Sequence, residues 1–140
     1  MAGQKDVIIG IDLGTTNSCA ALVDGEQNGV PKVKLIPYKG GEFTVPSIFA
    51  IDDKGNELIG YEAKRQWQLN PKNTVYGAKR LVGRTFRSDI VETMQKVVGY
   101  QVKPSVDNKE VVIDVAKKEF TLQEVSARIL NKIRDVASNH

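Results

Sequence analysis

The sequence has one cysteine, one tryptophan and one histidine in 140 residues. A lone Cys19 forms no internal disulfide, so a reducing compartment fits best. A lone histidine at the final position, His140, supports no metal site. Long apolar runs are missing too: Val7 to Leu13 is interrupted by Gly10 and Asp12, and nothing approaches the roughly 20 apolar residues that span a bilayer. The N-terminus reaches Lys5 and Asp6 before its first apolar run, unlike a secretory signal. No membrane association is expected, and a cytoplasmic location is the default. Nor does one sign of charge dominate: 20 Lys plus Arg against 17 Asp plus Glu leave +3. The basic residues are scattered, with Lys79, Arg80, Arg84 and Arg87 the densest group, and make no strong stripe of the kind a nucleic-acid surface shows, so none is expected. What is present is ordinary for a soluble domain, with 41% apolar and 26% charged residues. A chain of this length buries enough surface for one core.

Val7 to Leu13 reads as a buried strand and Ser18 to Val23 as its partner, joined by a tight connection at Gly14, Thr15 and Thr16. Turn formers Asp24, Gly25, Asn28 and Gly29 lead to a third strand, Lys32 to Ile36, completing an antiparallel meander that ends at Gly40 and Gly41. From Val45 and Pro46 a second segment begins: Ser47 to Ile51 extended, Asp53 to Asn56 a turn, Glu57 to Ile59 returning. Helices are expected over Tyr61 to Leu69, which stops before Asn70 and Pro71, over Thr74 to Val82, and over Asp89 to Val98. Tyr100 to Lys103 and Glu110 to Val115 form a hairpin around Asp107 and Asn108. The last helix is the best marked, with a T-x-x-E capping box at Thr121 and Glu124 and an apolar stripe of Leu122, Val125, Ile129, Ile133 and Val136. That stripe is expected to pack on the opening sheet, with Ile9, Ile11, Leu13, Val125, Ile129 and Ile133 in one core. Three parts follow: an opening sheet over 1–40, an inserted small α+β unit over 41–118, and a returning helix over 119–140.

The chemistry concentrates in Gly10-Ile11-Asp12-Leu13-Gly14-Thr15-Thr16-Asn17. Strand alternation places Ile9, Ile11 and Leu13 on one face and Gly10 and Asp12 on the other, so a carboxylate emerges at the strand's end. Gly10 leaves room for a ligand. Gly14 permits a turn whose N–H groups converge on an anion, and Thr15 and Thr16 add hydroxyls. Asp12 would repel phosphate unless a cation, most simply Mg²⁺ with its waters, stood between them. One reading is therefore a metal-nucleotide site; the other is a plain hairpin in which Asp12 serves the turn and the threonines serve β-propensity. Neither the G-x-x-x-x-G-K-[ST] loop nor the G-x-G-x-x-G fingerprint occurs. Trp67 reads as a helix-packing residue and Cys19 as a small buried one.

The segment I-I-G-I-D-L-G-T-T-N-S-C resembles the first phosphate motif of the actin, sugar-kinase and Hsp70 ATPase superfamily, and specifically an Hsp70 N-terminus. Val45-Pro46-Ser47-Ile48, Ala63-Lys64-Arg65-Gln66, Asn70-Pro71-Lys72-Asn73-Thr74 and Ala78-Lys79-Arg80-Leu81-Val82-Gly83-Arg84 continue the likeness in the family's order, nearest to the bacterial DnaK kind. The resemblance is close over residues 7 to 87 and loose over 88 to 120. Phe43, Thr44 and Val45 depart from the usual pattern, as do Tyr61 and Glu62.

The resemblance implies an α/β fold: the first lobe of an actin-like ATPase (ribonuclease H-like), incomplete, with the small α+β subdomain inserted. It implies that Asp12 holds the Mg²⁺ shell through water, that Gly14, Thr15, Thr16 and Asn17 line the β- and γ-phosphates of ATP or ADP, and that Lys79 is the catalytic lysine. Without it, Lys79 beside Arg80 would be a solvated face. It further implies a chaperone whose ATP hydrolysis drives binding and release of unfolded polypeptide clients, with a J-domain cochaperone and a nucleotide exchange factor as partners. This chain would hold only half of the nucleotide site and would be inactive alone. A sugar-kinase-like enzyme of the same superfamily, and a naturally truncated interaction module, are the alternatives; the block at 78 to 84 argues against the first.

Overall fold

The computed structural model describes residues 8–140. Val7, which the sequence places at the head of the first strand, lies outside them. The chain opens with β1 (Ile9–Leu13), β2 (Asn17–Gln27) and β3 (Val30–Leu35), an antiparallel meander in the order β1-β2-β3, and β4 (Val45–Pro46) also pairs with β2. The second strand runs longer than its sequence suggested. Asp24 and Gly25 do not turn the chain but sit in a bulge between Val23 and Glu26, and the reversal comes at Asn28 and Gly29, both at positive φ (56° and 79°). Two consecutive left-handed residues match the strand twist, as Asn-Gly hairpins require.

Next come β5 (Phe49–Ile51), β6 (Glu57–Ile59), α1 (Tyr61–Gln66) and β7 (Thr74–Val75), with the sheet order β6-β5-β7. Here two expected helices are corrected. The first ends at Gln66 rather than Leu69, because the amides of Trp67 and Leu69 tighten onto the carbonyls of Lys64 and Gln66. The second, over Thr74 to Val82, does not form as one element. Thr74 and Val75 are buried in the sheet against Phe49 and Ala50, left-handed Gly77 (φ 66°) breaks the chain, and only Ala78–Leu81 coils, as a short 3₁₀ turn. Burial of two β-branched residues outweighs helix propensity here.

The chain continues through α2 (Asp89–Val97), β8 (Gln101–Pro104), β9 (Val111–Val115), β10 (Lys118–Thr121) and α3 (Leu122–Ser138). The expected two-stranded hairpin is a three-stranded sheet, β10-β9-β8. Its extra turn places Ala116 and Lys117 at φ 50° and 65°. Neither residue is a usual left-handed turn former, so the sequence carries no signal for it.

The capping box of α3 is formed: Thr121 Oγ1 accepts from the Glu124 amide at 3.1 Å and the Glu124 carboxylate accepts from the Thr121 amide at 3.4 Å. The helix does pack on the opening sheet, but across two cores rather than one. Ile133 joins Ile9, Ile11, Ala20 and Ile36, whereas Val125 and Ile129 join Leu13 in a larger cluster around Phe49, Ile113 and Phe120. A helix of 17 residues is ~25 Å long, and its stripe outreaches the short strand β1. Arg128 ties the arrangement from outside, pairing with Glu57 and lying 4.9 Å from the Phe120 ring centre. Trp67 packs on Tyr76 (4.1 Å between ring centres), which meets Tyr100 edge-on. Burial pushes the Tyr100 phenol well above its usual pKa, with Tyr76 adding to the effect, and its hydroxyl donates to the Tyr76 carbonyl at 2.6 Å. Tyr61, unusual for the resemblance, stacks on Tyr38 at 5.8 Å.

Candidate phosphate-binding turn

Strand β1 alternates as the sequence requires, half-buried at Ile9, Ile11 and Leu13 and exposed at Gly10 and Asp12. A Cβ at Gly10 would meet nothing within 4 Å, so the space beside Asp12 is open. The connection from Gly14 to Asn17 is tight for a reason the sequence did not supply. Gly14 is not in the left-handed region; a Cβ there would lie 2.2 Å from the Asn17 carbonyl oxygen. Close backbone approach demands this glycine, not rotational freedom.

The turn's carbonyls are held by donors far along the chain. Ser47 Oγ donates to the Gly14 carbonyl at 2.8 Å, the Ser47 amide donates to Thr16 at 2.9 Å, and Lys79 Nζ donates to Leu13 at 2.5 Å. Among the described residues, the amides of Thr15 and Thr16 donate to no protein oxygen. The Leu13, Gly14 and Thr16 carbonyls are thus engaged within the protein, while two amides, two hydroxyls and the remaining protons of the Lys79 ammonium stand at one corner, a set suited to an anion with several oxygens. Lys79 reaches this corner because Ala78 and Leu81 are buried, which leaves Lys79 and Arg80 outermost on their short 3₁₀ turn. Beside the turn lies a groove of about 240 Å³ lined in part by Thr15, Thr16, Trp67, Tyr76 and Arg80.

The structure therefore brings Asp12, Gly14, Thr15, Thr16 and Asn17 together with Lys79, 66 residues beyond Leu13. Cys19 is half-buried opposite Asp12 in the strand register. His140 lies elsewhere, by Pro37 and Tyr38. No cluster of three or more His, Cys, Asp or Glu residues suited to a metal occurs among the described residues. Asp12 by itself suits a hard divalent ion only through water and a ligand's own oxygens. Sequence reasoning missed Ser47 as part of the site: it was legible only as one letter of the Val45-Pro46-Ser47-Ile48 block, and serine by itself carries no such signal. No helix is long and apolar enough to cross a membrane among the described residues.

The profile of the family described as Hsp70 protein matches residues 8–140. The chaperone protein DnaK of Buchnera aphidicola subsp. Schizaphis graminum is 43% identical over 133 residues, covering 95% of this chain and 20% of that protein. The chain thus spans about a fifth of the length of this curated relative. The Gly10 to Asn17 segment and the Lys79 block both lie inside the matched region, and the chain belongs to the Hsp70 family.

Proposed function

We propose that this chain forms one wall of the nucleotide cleft of an Hsp70-type ATPase and receives the β- and γ-phosphates of ATP or ADP at the Gly14–Asn17 turn. Members of the Hsp70 family are ATPases with an actin-like fold, here mixed α and β with antiparallel sheets. The observation that carries the reading is the arrival of Lys79, from a distant 3₁₀ turn, at the Leu13 carbonyl beside the donor-rich turn. In this reading Lys79 neutralises charge at the γ-phosphate and fixes the attacking water, where phosphoryl-transfer enzymes gain much of their rate. Thr15, Thr16 and Asn17 bind phosphate oxygens. Asp12 orients the water shell of Mg²⁺, which when bound would offset the charge of the phosphates.

Residues 1–40 and 119–140 would belong to the first lobe and 41–118 to its inserted subdomain. The turn and Lys79 touch the phosphates from one side only, so this chain alone leaves a nucleotide in water, where charge contacts are screened. Unfolded polypeptide clients, a J-domain cochaperone, a nucleotide exchange factor and a cytoplasmic setting belong to the proposed whole.

Two measurements test this. Titration calorimetry of the 140-residue chain with Mg-ATP is expected to give at most millimolar binding, with no phosphate release; micromolar binding with turnover would overturn the half-site. In a chimera carrying residues 8–140 in place of the matching stretch of the Buchnera DnaK, Lys79→Ala is expected to slow single-turnover cleavage by roughly a hundredfold or more while nucleotide binding changes far less. Asp12→Asn should weaken the Mg²⁺ dependence. An unchanged cleavage rate in Lys79→Ala would remove the lysine from the mechanism.

A further inference from the structure

Behind the turn sits a buried pair of hydroxyls. Ser18 is 1% exposed and Ser47 6%, and their Oγ atoms are 2.8 Å apart. A hydroxyl has a single proton. A carbonyl oxygen only accepts, so the Ser47 proton is committed to Gly14 at 2.8 Å, and Ser18 must be the donor to Ser47. The relay therefore has a direction: Ser18 hydroxyl to Ser47 hydroxyl to Gly14 carbonyl. Ser47 also gives its amide to Thr16, so one residue engages two of the turn's carbonyls.

We infer that Ser47 is a positioning residue for the phosphate turn, with Ser18 orienting its hydroxyl. The reason is electrostatic. Carbonyl lone pairs facing an incoming polyphosphate would repel it, and Ser47 keeps those of Gly14 and Thr16 engaged inside the protein, so the turn presents donors. The same two bonds hold Gly14 against Asn17, at an approach no other residue tolerates. This inference rests on the phosphate-binding reading above. Ser18 contributes less than Ser47, because its removal leaves Ser47 still able to donate to Gly14.

The test compares the unsubstituted chain with Ser47→Ala, Ser47→Thr and Ser18→Ala by ¹⁵N NMR. Without ligand, relaxation dispersion should show Gly14 to Asn17 mobilised in Ser47→Ala and quiet in Ser47→Thr, which retains the hydroxyl. Resonances of Val102 and Ile113, in the remote three-stranded sheet, should stay in place and so report an intact fold. With inorganic triphosphate and Mg²⁺ at millimolar concentration, shifts at the Thr15 and Thr16 amides should weaken about tenfold in apparent affinity in Ser47→Ala, about threefold in Ser18→Ala, and less than threefold in Ser47→Thr. A turn equally ordered in Ser47→Ala, or triphosphate binding equal to that of the unsubstituted chain, overturns the proposal. If triphosphate shifts nothing even in the unsubstituted chain, the comparison passes to the DnaK chimera, where ATP binding unchanged by Ser47→Ala overturns the positioning role and an absence of ATP binding overturns the phosphate reading.

Discussion

Two turns in this protein are held in opposite ways. The loop from Asp52 to Asn56 is self-sufficient: the Asp52 carboxylate accepts the amides of Lys54 at 2.9 Å and Asn56 at 2.8 Å, and the Asn56 side chain at 3.1 Å. These bonds span at most four residues and lie in water. The connection that follows Leu13 is held from far along the chain: Ser47, 33 residues from Gly14, engages the Gly14 and Thr16 carbonyls, and Lys79, 66 residues from Leu13, engages the Leu13 carbonyl. Local bonds make a turn that forms early and yields easily. Distant bonds make one whose shape exists only when the whole fold does, which suits a surface that must meet a ligand with its donors already aimed.

Gly14→Ala should strike the comparison hardest. The new methyl group would collide with backbone rather than a movable side chain, at a cost of about 3 kcal/mol read from urea unfolding. A stable alanine variant with an unshifted turn would show that the approach to Asn17 is not needed. Ser47→Ala comes next: it strands the Ser18 hydroxyl and the Gly14 carbonyl and should cost about 2 kcal/mol in the same assay. Thr121→Ala removes a local cap and should cost about 1 kcal/mol, with amide exchange accelerated in the first turn of α3.

Asp52→Ala is expected to leave the global unfolding midpoint in place while the Lys54 and Asn56 amides exchange faster. A large global loss would erase the distinction between the two turns. Acidification gives the gentlest contrast. The Asn56 amide above all, with the Asn56 side chain and the Lys54 amide, holds the Asp52 carboxyl below the usual range against an opposing desolvation. The Ser105 hydroxyl and then the Lys109 amide do the same for Asp107. A depressed folded-state pKa means a contribution present above the unfolded value and lost as pH falls through the folded one. Amide shifts in both loops should therefore stay constant from neutral pH to about 4 and move only below it. The Ser18, Ser47 and Gly14 bonds carry no titrating group and should not follow.

The same contrast explains what could be read in the sequence. The Asp53 to Asn56 turn, the capping box at Thr121, the stripe of α3 and the alternation of β1 are local patterns, and each is present. The helix expected over Thr74 to Val82 went wrong where a tertiary partner, the Phe49 strand, claimed Thr74 and Val75. The strand Lys118–Thr121 escaped notice because Ala116 and Lys117 adopt left-handed geometry without a residue type that advertises it. Of the candidate site, the Gly10 to Asn17 segment was legible as chemistry, whereas Lys79 entered only through resemblance.

By itself the sequence determined the alternation that brings Asp12 out of β1, the capped amphipathic helix and the small-residue turn after Leu13. Those follow from periodicities of two and 3.6 and from side chains acting within a few positions. Only the tertiary structure decided that the helix bridges two cores, that Ser47 and Ser18 stand behind the turn, and that the Lys79 ammonium arrives at Leu13. Contacts between residues 29 to 66 positions apart have no local signature. They exist because buried Ala78, Leu81 and Val45 anchor their segments in the core and leave the neighbouring polar groups one place to go.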